Sequence, residues 1–304
     1  MNETKFVICA GTTADIPKEV LKEKEIEIIP ASIQFKNQIL RISLLSRLGA
    51  IEEFYRRARS GEKITVLTPS IDEYINFFVD VLARKQKDIL YFAQLNAVDA
   101  AYINATTAAK AVMEANPQFH IKIVSTRSFS LGIGLLIYCL MEENGRGRYL
   151  DIQSAAEFIE SMSIYINTII YKCTRNKQID KKPSNWFNKK YCFSRLNKDS
   201  GEIVVNKYHS KLKCFERMLV SFDSRCIDKT IVFIAHGDSI HEASKIKHYL
   251  LENYPDIHRI VLTTSGPFTG IKYGPGNICV FFFGPERDTI NNLCKKLPSK
   301  FHIN

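Results

Sequence analysis

The chain of 304 residues has no apolar run long enough to cross a membrane. Its longest nearly unbroken run, Leu131 to Met141, is about half of the ~20 residues that a spanning helix needs. The start lacks the charged-then-apolar order of a secretory signal: Met1 to Lys5 leads straight into a short strand-like stretch, Phe6 to Ala10. A cytoplasmic protein is therefore expected. The eight cysteines form no CxxC pair and are scattered along the chain, so they read as reduced, mostly buried thiols. That leaves little room for a disulfide framework and less for a zinc cluster. Also missing are a GxxxxGK[ST] phosphate loop, an HExxH pair and a GxSxG elbow. No complete catalytic site, metal or cofactor is expected. There is no internal repeat and no low-complexity segment.

What is present suits a folded protein. At 45% hydrophobic and 24% charged residues, disorder is not the default. The length points to two domains. The net charge of +10 is uneven. The segment 172–217 holds thirteen Lys/Arg against Asp180, Asp199, Glu202 and Glu216, a net +9. Such a patch can meet an acidic protein partner or, transiently, an anionic membrane. It can equally be a solvated face. With no zinc-finger spacing and no RNP-type run, nucleic acid is not expected.

The first half alternates strand-like and helical stretches. Phe6–Ala10, Ile26–Ile33, Asp88–Ala93 and His120–Val124 read as strands. Ile51–Arg59, the stretch after Ser70, Asp99–Ala115, Ser130–Glu142 and Asp151–Met162 read as helices. Ser70 with Glu73 forms a capping-box pattern. This rhythm predicts a parallel sheet flanked by helices, with ligands held at the carboxyl ends of the strands. Polar turns fall at Gly11–Thr13, Thr65–Ser70, Gln94–Asn96 and Ser125–Thr126. The texture changes after residue 162. Tyr191–Leu196 and Glu202–Lys207 flank a turn and predict a hairpin. Ser210–Phe222, Thr230–Ala235, His241–Asn253, His258–Thr263 and Asn277–Phe283 continue as helices and strands, with a turn at Tyr273–Gly276. The expectation is an α/β protein: residues 1–162 as an N-terminal domain, 163–304 as a mixed C-terminal α/β domain, and a ligand cleft between them.

His236 and Asp238 follow a good strand and could supply a base, although a histidine there is more often structural. His241 and His248 share a helix face without further ligands, so metal binding is not expected. Gly132 and Gly134 read as close-packing positions. Cys9 and Cys279 read as inert.

The motif order resembles the DegV family of bacterial fatty-acid-binding proteins over almost the whole chain. Gly11 to Ile16 resembles TDSTADL, and Leu67 to Ser70 resembles TSQPS. Ala100 to Ala105 resembles the GTYQSA run, and Val124 to Gly134 its DS…S.G.G pattern. Asp199 to Ile203 resembles the DGKI hairpin, and Gly274-Pro275-Gly276 the HxGPG ending. The resemblance implies the EDD fold of two α/β domains with a long-chain fatty acid between them, and a role in phospholipid metabolism. It further implies a lipid-binding subunit that presents the carboxylate to a separate fatty acid kinase subunit, and is not itself an enzyme.

The polar end departs from the pattern. Val66 stands where the family has its carboxylate-binding threonine, with Thr65 and Thr68 on either side. Asn96 falls near the family's serine, and Lys272 replaces the HxGPG histidine. Asn176-Lys177-Gln178-Ile179 stands in place of GGRI, and Gly11 in place of the first aspartate. Thr65, Thr68, Asn96 and Lys272 are the expected head-group contacts, with Thr126 and Gly274 lining the same region. Taken alone, Lys272 reads equally well as a surface lysine and Asn96 as a turn residue. The alternative is an interaction protein that has kept the fold, lost the fatty acid and works through segment 172–217.

Overall fold

The computed structural model describes residues 4–23, 25–42, 47–95, 99–174 and 190–287. The apolar stretch Phe6–Gly11 (β1) lies in the middle of a four-stranded sheet. It pairs in parallel with Glu27–Ile29 (β2) and with Asp88–Ala93, which in turn pairs in parallel with Ile121–Ser125. The strand expected over residues 26–33 is broken at Pro30 and Ala31. Its second half, Ser32–Phe35 (β3), leaves for another sheet. There it pairs antiparallel with Gln38–Arg41 (β4) and Thr65–Leu67 (β5). Pro30 has no N–H for the ladder, and the Ala31 N–H donates instead to Thr12 Oγ1 at 2.9 Å. Thr65–Leu67 is thus a strand of this small sheet and not a turn at the end of a parallel strand. Asp88–Ala93 is β6 and Ile121–Ser125 is β7.

Helices cover both faces of the parallel sheet. Lys18–Glu23 is α1 and Arg47–Arg59 is α2. Ile71–Lys85 (α3) and Ala100–Ala115 (α4) bury Tyr74, Phe78, Ala105 and Ala108 against one face. The capping box of α3 forms: Ser70 Oγ accepts the Glu73 N–H at 3.2 Å, and Glu73 Oε2 accepts the Ser70 N–H at 2.9 Å. Leu131–Gly145 (α5) and Ile152–Met162 (α6) cover the other face.

The second sheet has six strands. Ile166–Thr174 (β8), Lys190–Leu196 (β9), Glu202–Tyr208 (β10), Asp228–His236 (β11), Arg259–Thr264 (β12) and Ile278–Phe283 (β13) lie in the order β10-β9-β8-β13-β11-β12. Only the β11–β12 pair is parallel. The expected hairpin is β9–β10, with a register shift between Val204 and Asn206. Lys211–Arg225 (α7) and Ile240–Asn253 (α8) pack on its outer face. Pro267–Tyr273 (α9) is a helix in a stretch for which the sequence predicts no element, just before the turn expected at Tyr273–Gly276.

Helix α5 lies between the sheets. Leu131, Ile133, Leu135, Leu136, Ile137 and Leu140 are buried, in one core with Phe92 from the first sheet and Phe233 and Phe281 from the second. Burial of each such side chain is worth roughly 1.5–3 kcal/mol. Of the two glycines read as packing positions, Gly132 is one: a Cβ there would lie 2.0 Å from Ser128 Oγ and 2.9 Å from Phe281, whereas one at Gly134 would make ordinary contact, 3.4 Å from Ile16 and Leu131. Among the described residues, no helix is long and apolar enough to cross a membrane.

Candidate functional site

A cavity of about 90 Å³ opens where the carboxyl ends of β1 and β6 face β5 and α9. Thr13, Thr68, Tyr91, Gln94, Ala101 and Phe268 are on its wall. The Tyr74 and Tyr91 hydroxyls meet there at 3.0 Å. Burial pushes the Tyr74 phenol up to about 12 and the Tyr91 phenol well above its ordinary range, so both stay neutral; one donates to the other, and the second keeps its proton for a ligand. Gln94 Oε1 is buried with no hydrogen-bond partner among the described residues. Val66 lines the same wall with a side chain that has no polar atom to offer. The cavity can hydrogen-bond a ligand, and the named polar groups on its wall carry no formal charge.

The cation lies one helical turn away. Phe268 and Lys272 are four apart on α9 and share a face. Lys272 Nζ stands 5.8 Å from the Phe129 ring centre and 5.5 Å from that of Tyr273, both within cation–π range. The residue is exposed by area, yet its pKa is held below the ordinary lysine value. Desolvation by the surrounding protein does most of this; Glu202 opposes it and Lys172 adds to it. Among the described residues no carboxylate forms an ion pair with Lys272. Its neighbour Tyr273 is 4% exposed, and the hydroxyls of Tyr273 and Thr269, again four apart, are buried without a partner among the described residues.

The other expected contacts fall differently. Thr68 reaches the cavity wall. Thr65 is exposed and pairs with Gln34 in the small sheet. Thr126 is fully buried, and its hydroxyl donates to the Ala93 carbonyl at 2.7 Å, closing the loop after β7. Gly274 ends α9 at φ +79, and its carbonyl accepts from Asn277 Nδ2 at 2.7 Å. The positive φ there favours glycine. Asn96 lies outside the described residues.

Sequence reasoning passed over what holds α9 in place. Asp15 is 1% exposed. Its Oδ2 accepts from Ser130 Oγ at 2.6 Å, and its Oδ1 from the Gly266 N–H at 2.8 Å. One carboxylate therefore ties the turn after β1 to the starts of α5 and α9. Tyr55 on α2 adds a second tie, donating to the Ser265 carbonyl at 3.0 Å. Gly270 lets α2 approach, since a Cβ there would come within 2.4 Å of Phe54. Also passed over was Lys172, which forms an ion pair with Glu202 on β10. The pairing of β8, β9 and β10 brings them together across thirty residues of sequence. No sequence spacing announces that.

His236 and Asp238 do not assemble a base. His236 is buried, its pKa lowered mainly by desolvation, and its Nδ1 accepts the Ser239 N–H at 3.2 Å. Asp238 pairs instead with Arg59, 2.7 Å away on α2. Burial raises the Cys9 and Cys279 thiols well above their ordinary value, which leaves them unreactive as read. Within the basic segment, residues 175–189 lie outside the described residues. Of those described, Lys172, Lys198 and Lys211 are paired with Glu202, Glu286 and Glu242.

Comparison with known proteins agrees with this architecture. Residues 5–171 match the model of the family described as "Uncharacterised protein, DegV family". A DegV domain-containing protein of Clostridium perfringens is 26% identical over 93% of this chain and 99% of its own length. A DegV lipid-binding protein of Thermotoga maritima superposes with a TM-score of 0.77 at 16% identity, covering 93% of this chain and 100% of its own. The Streptococcus pneumoniae Fatty Acid Kinase (Fak) B3 protein, solved loaded with linoleic acid, superposes with a TM-score of 0.73 at 13% identity, covering 92% and 99%. Two α/β halves on either side of α5, matched over nearly their whole length, are the architecture of those structures, and this chain belongs to the DegV family.

Proposed function

We propose that this protein binds a long-chain fatty acid between its two α/β domains, with Lys272 as the cation for the carboxylate. The domains divide near residue 162, where α6 gives way to the second sheet. One observation carries the reading: Lys272 is an ammonium without a carboxylate partner among the described residues, set over Phe129 and Tyr273 at the edge of the core shared by both halves. Thr68 and the Tyr74–Tyr91 hydroxyls offer neutral hydrogen bonds one turn along α9. An acyl tail gains roughly 0.8 kcal/mol per buried CH₂, so it can hold where head-group contacts are few. The solved relatives that carry fatty acids support this reading. The Fak B3 likeness supports a subunit that presents the carboxylate to a separate kinase and performs no chemistry itself; its place in the cytoplasm is part of the proposal.

The test is direct. Protein purified without added lipid is denatured and extracted, and the extract is read by mass spectrometry; hexadecanoate is then titrated into delipidated protein. We expect a fatty acid in the extract, saturable binding, and about tenfold weaker binding by Lys272→Met, the loss of one charge-assisted contact. A lipid-free extract with no binding in titration would overturn the proposal. Phosphate transfer from ATP to bound hexadecanoate on addition of a kinase subunit tests the partner.

A further inference from the structure

The charges around α9 suggest a selectivity beyond the binding of an anion, and that selectivity rests on the fatty-acid reading of the site. Two lysines address one ring. Lys172 Nζ lies 5.2 Å and Lys272 Nζ 5.5 Å from the centre of Tyr273. They come from different elements, β8 and α9. Of the two, Lys272 is the one left to meet a ligand charge. Lys172 forms an ion pair with Glu202, and the side chains of both are less than one-fifth exposed. Ser194 Oγ donates to the same carboxylate oxygen, Glu202 Oε1, at 2.5 Å, which holds the carboxylate towards Lys172. Asp99, the other carboxylate that acts on Lys272, is engaged in capping α4, where it accepts the Ala101 N–H at 2.9 Å. Among the described residues, the buried Tyr273 ring thus has two ammonium groups and one carboxylate beside it, a net single positive charge.

We propose that Glu202 is a selectivity residue: by neutralising Lys172 it leaves one uncompensated ammonium, Lys272, and so fits the site to a singly charged carboxylate in preference to a dianionic phosphate monoester. Placing a carboxylate in a partly desolvated site meets one positive charge with one negative. A phosphate dianion would bring a second negative charge to a place where Glu202 already stands. Repulsion at the separations of neighbouring side chains near a protein surface is several kT, and it is muted by salt.

Hexadecanoate and hexadecyl phosphate, which differ in head-group charge at pH 8 and share a tail length, are titrated into delipidated wild type, Glu202→Gln and the double variant Lys172→Met/Glu202→Gln. In Glu202→Gln, Lys172 loses its partner, and the ratio of phosphate to carboxylate affinity should rise on the order of tenfold. In the double variant the net single charge is restored, and the ratio should return to that of wild type. A ratio unchanged in Glu202→Gln overturns the inference. So does a double variant that keeps the altered ratio, since hairpin geometry and not charge would then set it. Failure of the wild type to bind hexadecanoate is a different result: it overturns the binding proposal itself and this inference with it.

Discussion

The two ends of α9 make opposite use of their polar groups. At its start every named group is engaged: Asp15 accepts from Ser130 and Gly266, and Tyr55 from α2 bonds to Ser265. At its end Lys272 has no carboxylate partner, and the Tyr273 and Thr269 hydroxyls lack hydrogen-bond partners, among the described residues. Buried polar groups are normally satisfied. An engaged end fixes position, and an unengaged one is available to a ligand. A helix of seven residues is too short to be stable alone, so its fixed end must be held from outside if its open end is to be placed accurately.

Breaking the fixed end should have the largest effect. Asp15→Ala leaves the Gly266 N–H and the Ser130 hydroxyl buried and unpaired, and should lower unfolding free energy by about 3 kcal/mol in urea denaturation. Asp15→Asn keeps an oxygen for Gly266 and lets the Ser130 hydroxyl turn to accept, so its loss should be about 1 kcal/mol. Equal losses in the two variants would mean that the charge of the Asp15 carboxylate, and not the shape or the oxygen that asparagine keeps, holds the two starts together.

A smaller change sharpens the other side of the contrast. Tyr273→Phe removes a hydroxyl that has no partner among the described residues, so stability should hold or rise by up to about 1 kcal/mol. Hexadecanoate binding should weaken about fivefold if that hydroxyl meets the head group. A loss of stability in the ligand-free protein would show that the hydroxyl is already satisfied and that this end of α9 is not open.

The contrast also marks what the sequence can carry. The alternation of strands and helices in the first half is legible because apolar residues recur at the periods of strand and helix. So is the β9–β10 hairpin, whose turn residues stand between two apolar runs. The packing role of Gly132 is legible from a small residue in an apolar helix, but the same reading of Gly134 overshoots, because a Cβ has room there. Helix α9 is not: with Gly266, Pro267, Gly270 and Gly274 the stretch has no helical pattern to read, and its start is held by Asp15 and Tyr55, each more than two hundred residues away. The break into two sheets is marked in the sequence by Pro30, which cannot donate to a strand ladder; reading Ile26–Ile33 as one strand passes over it. Lys272 and Thr68 could be picked out by motif position. Lys172 was visible only as one charge among many, because its pairing with Glu202 depends on strand register.

The smallest expected effect is a pH dependence at the open end. An ammonium kept below its ordinary pKa by the desolvation of the protein around it is a charge that the fold disfavours. Between the lowered folded value and the unfolded one, near 10.5, the unfolded chain binds more protons than the folded chain. Stability contributed by this group therefore rises with pH through that window and is least at neutral pH. Lys272→Met should remove the rise, leaving ligand-free protein slightly more stable at pH 7 and with a flatter alkaline profile in urea denaturation. Ligand binding has the opposite sign. A carboxylate needs the charged ammonium, so hexadecanoate affinity should fall as pH climbs through the lowered pKa, and earlier than an ordinary lysine would allow. Bound carboxylate opposes the desolvation and raises the pKa again, so the stability rise should shrink in the liganded protein. An alkaline profile that is the same with and without ligand, and in Lys272→Met, would place Lys272 outside the site and leave the two ends of α9 without the difference drawn between them.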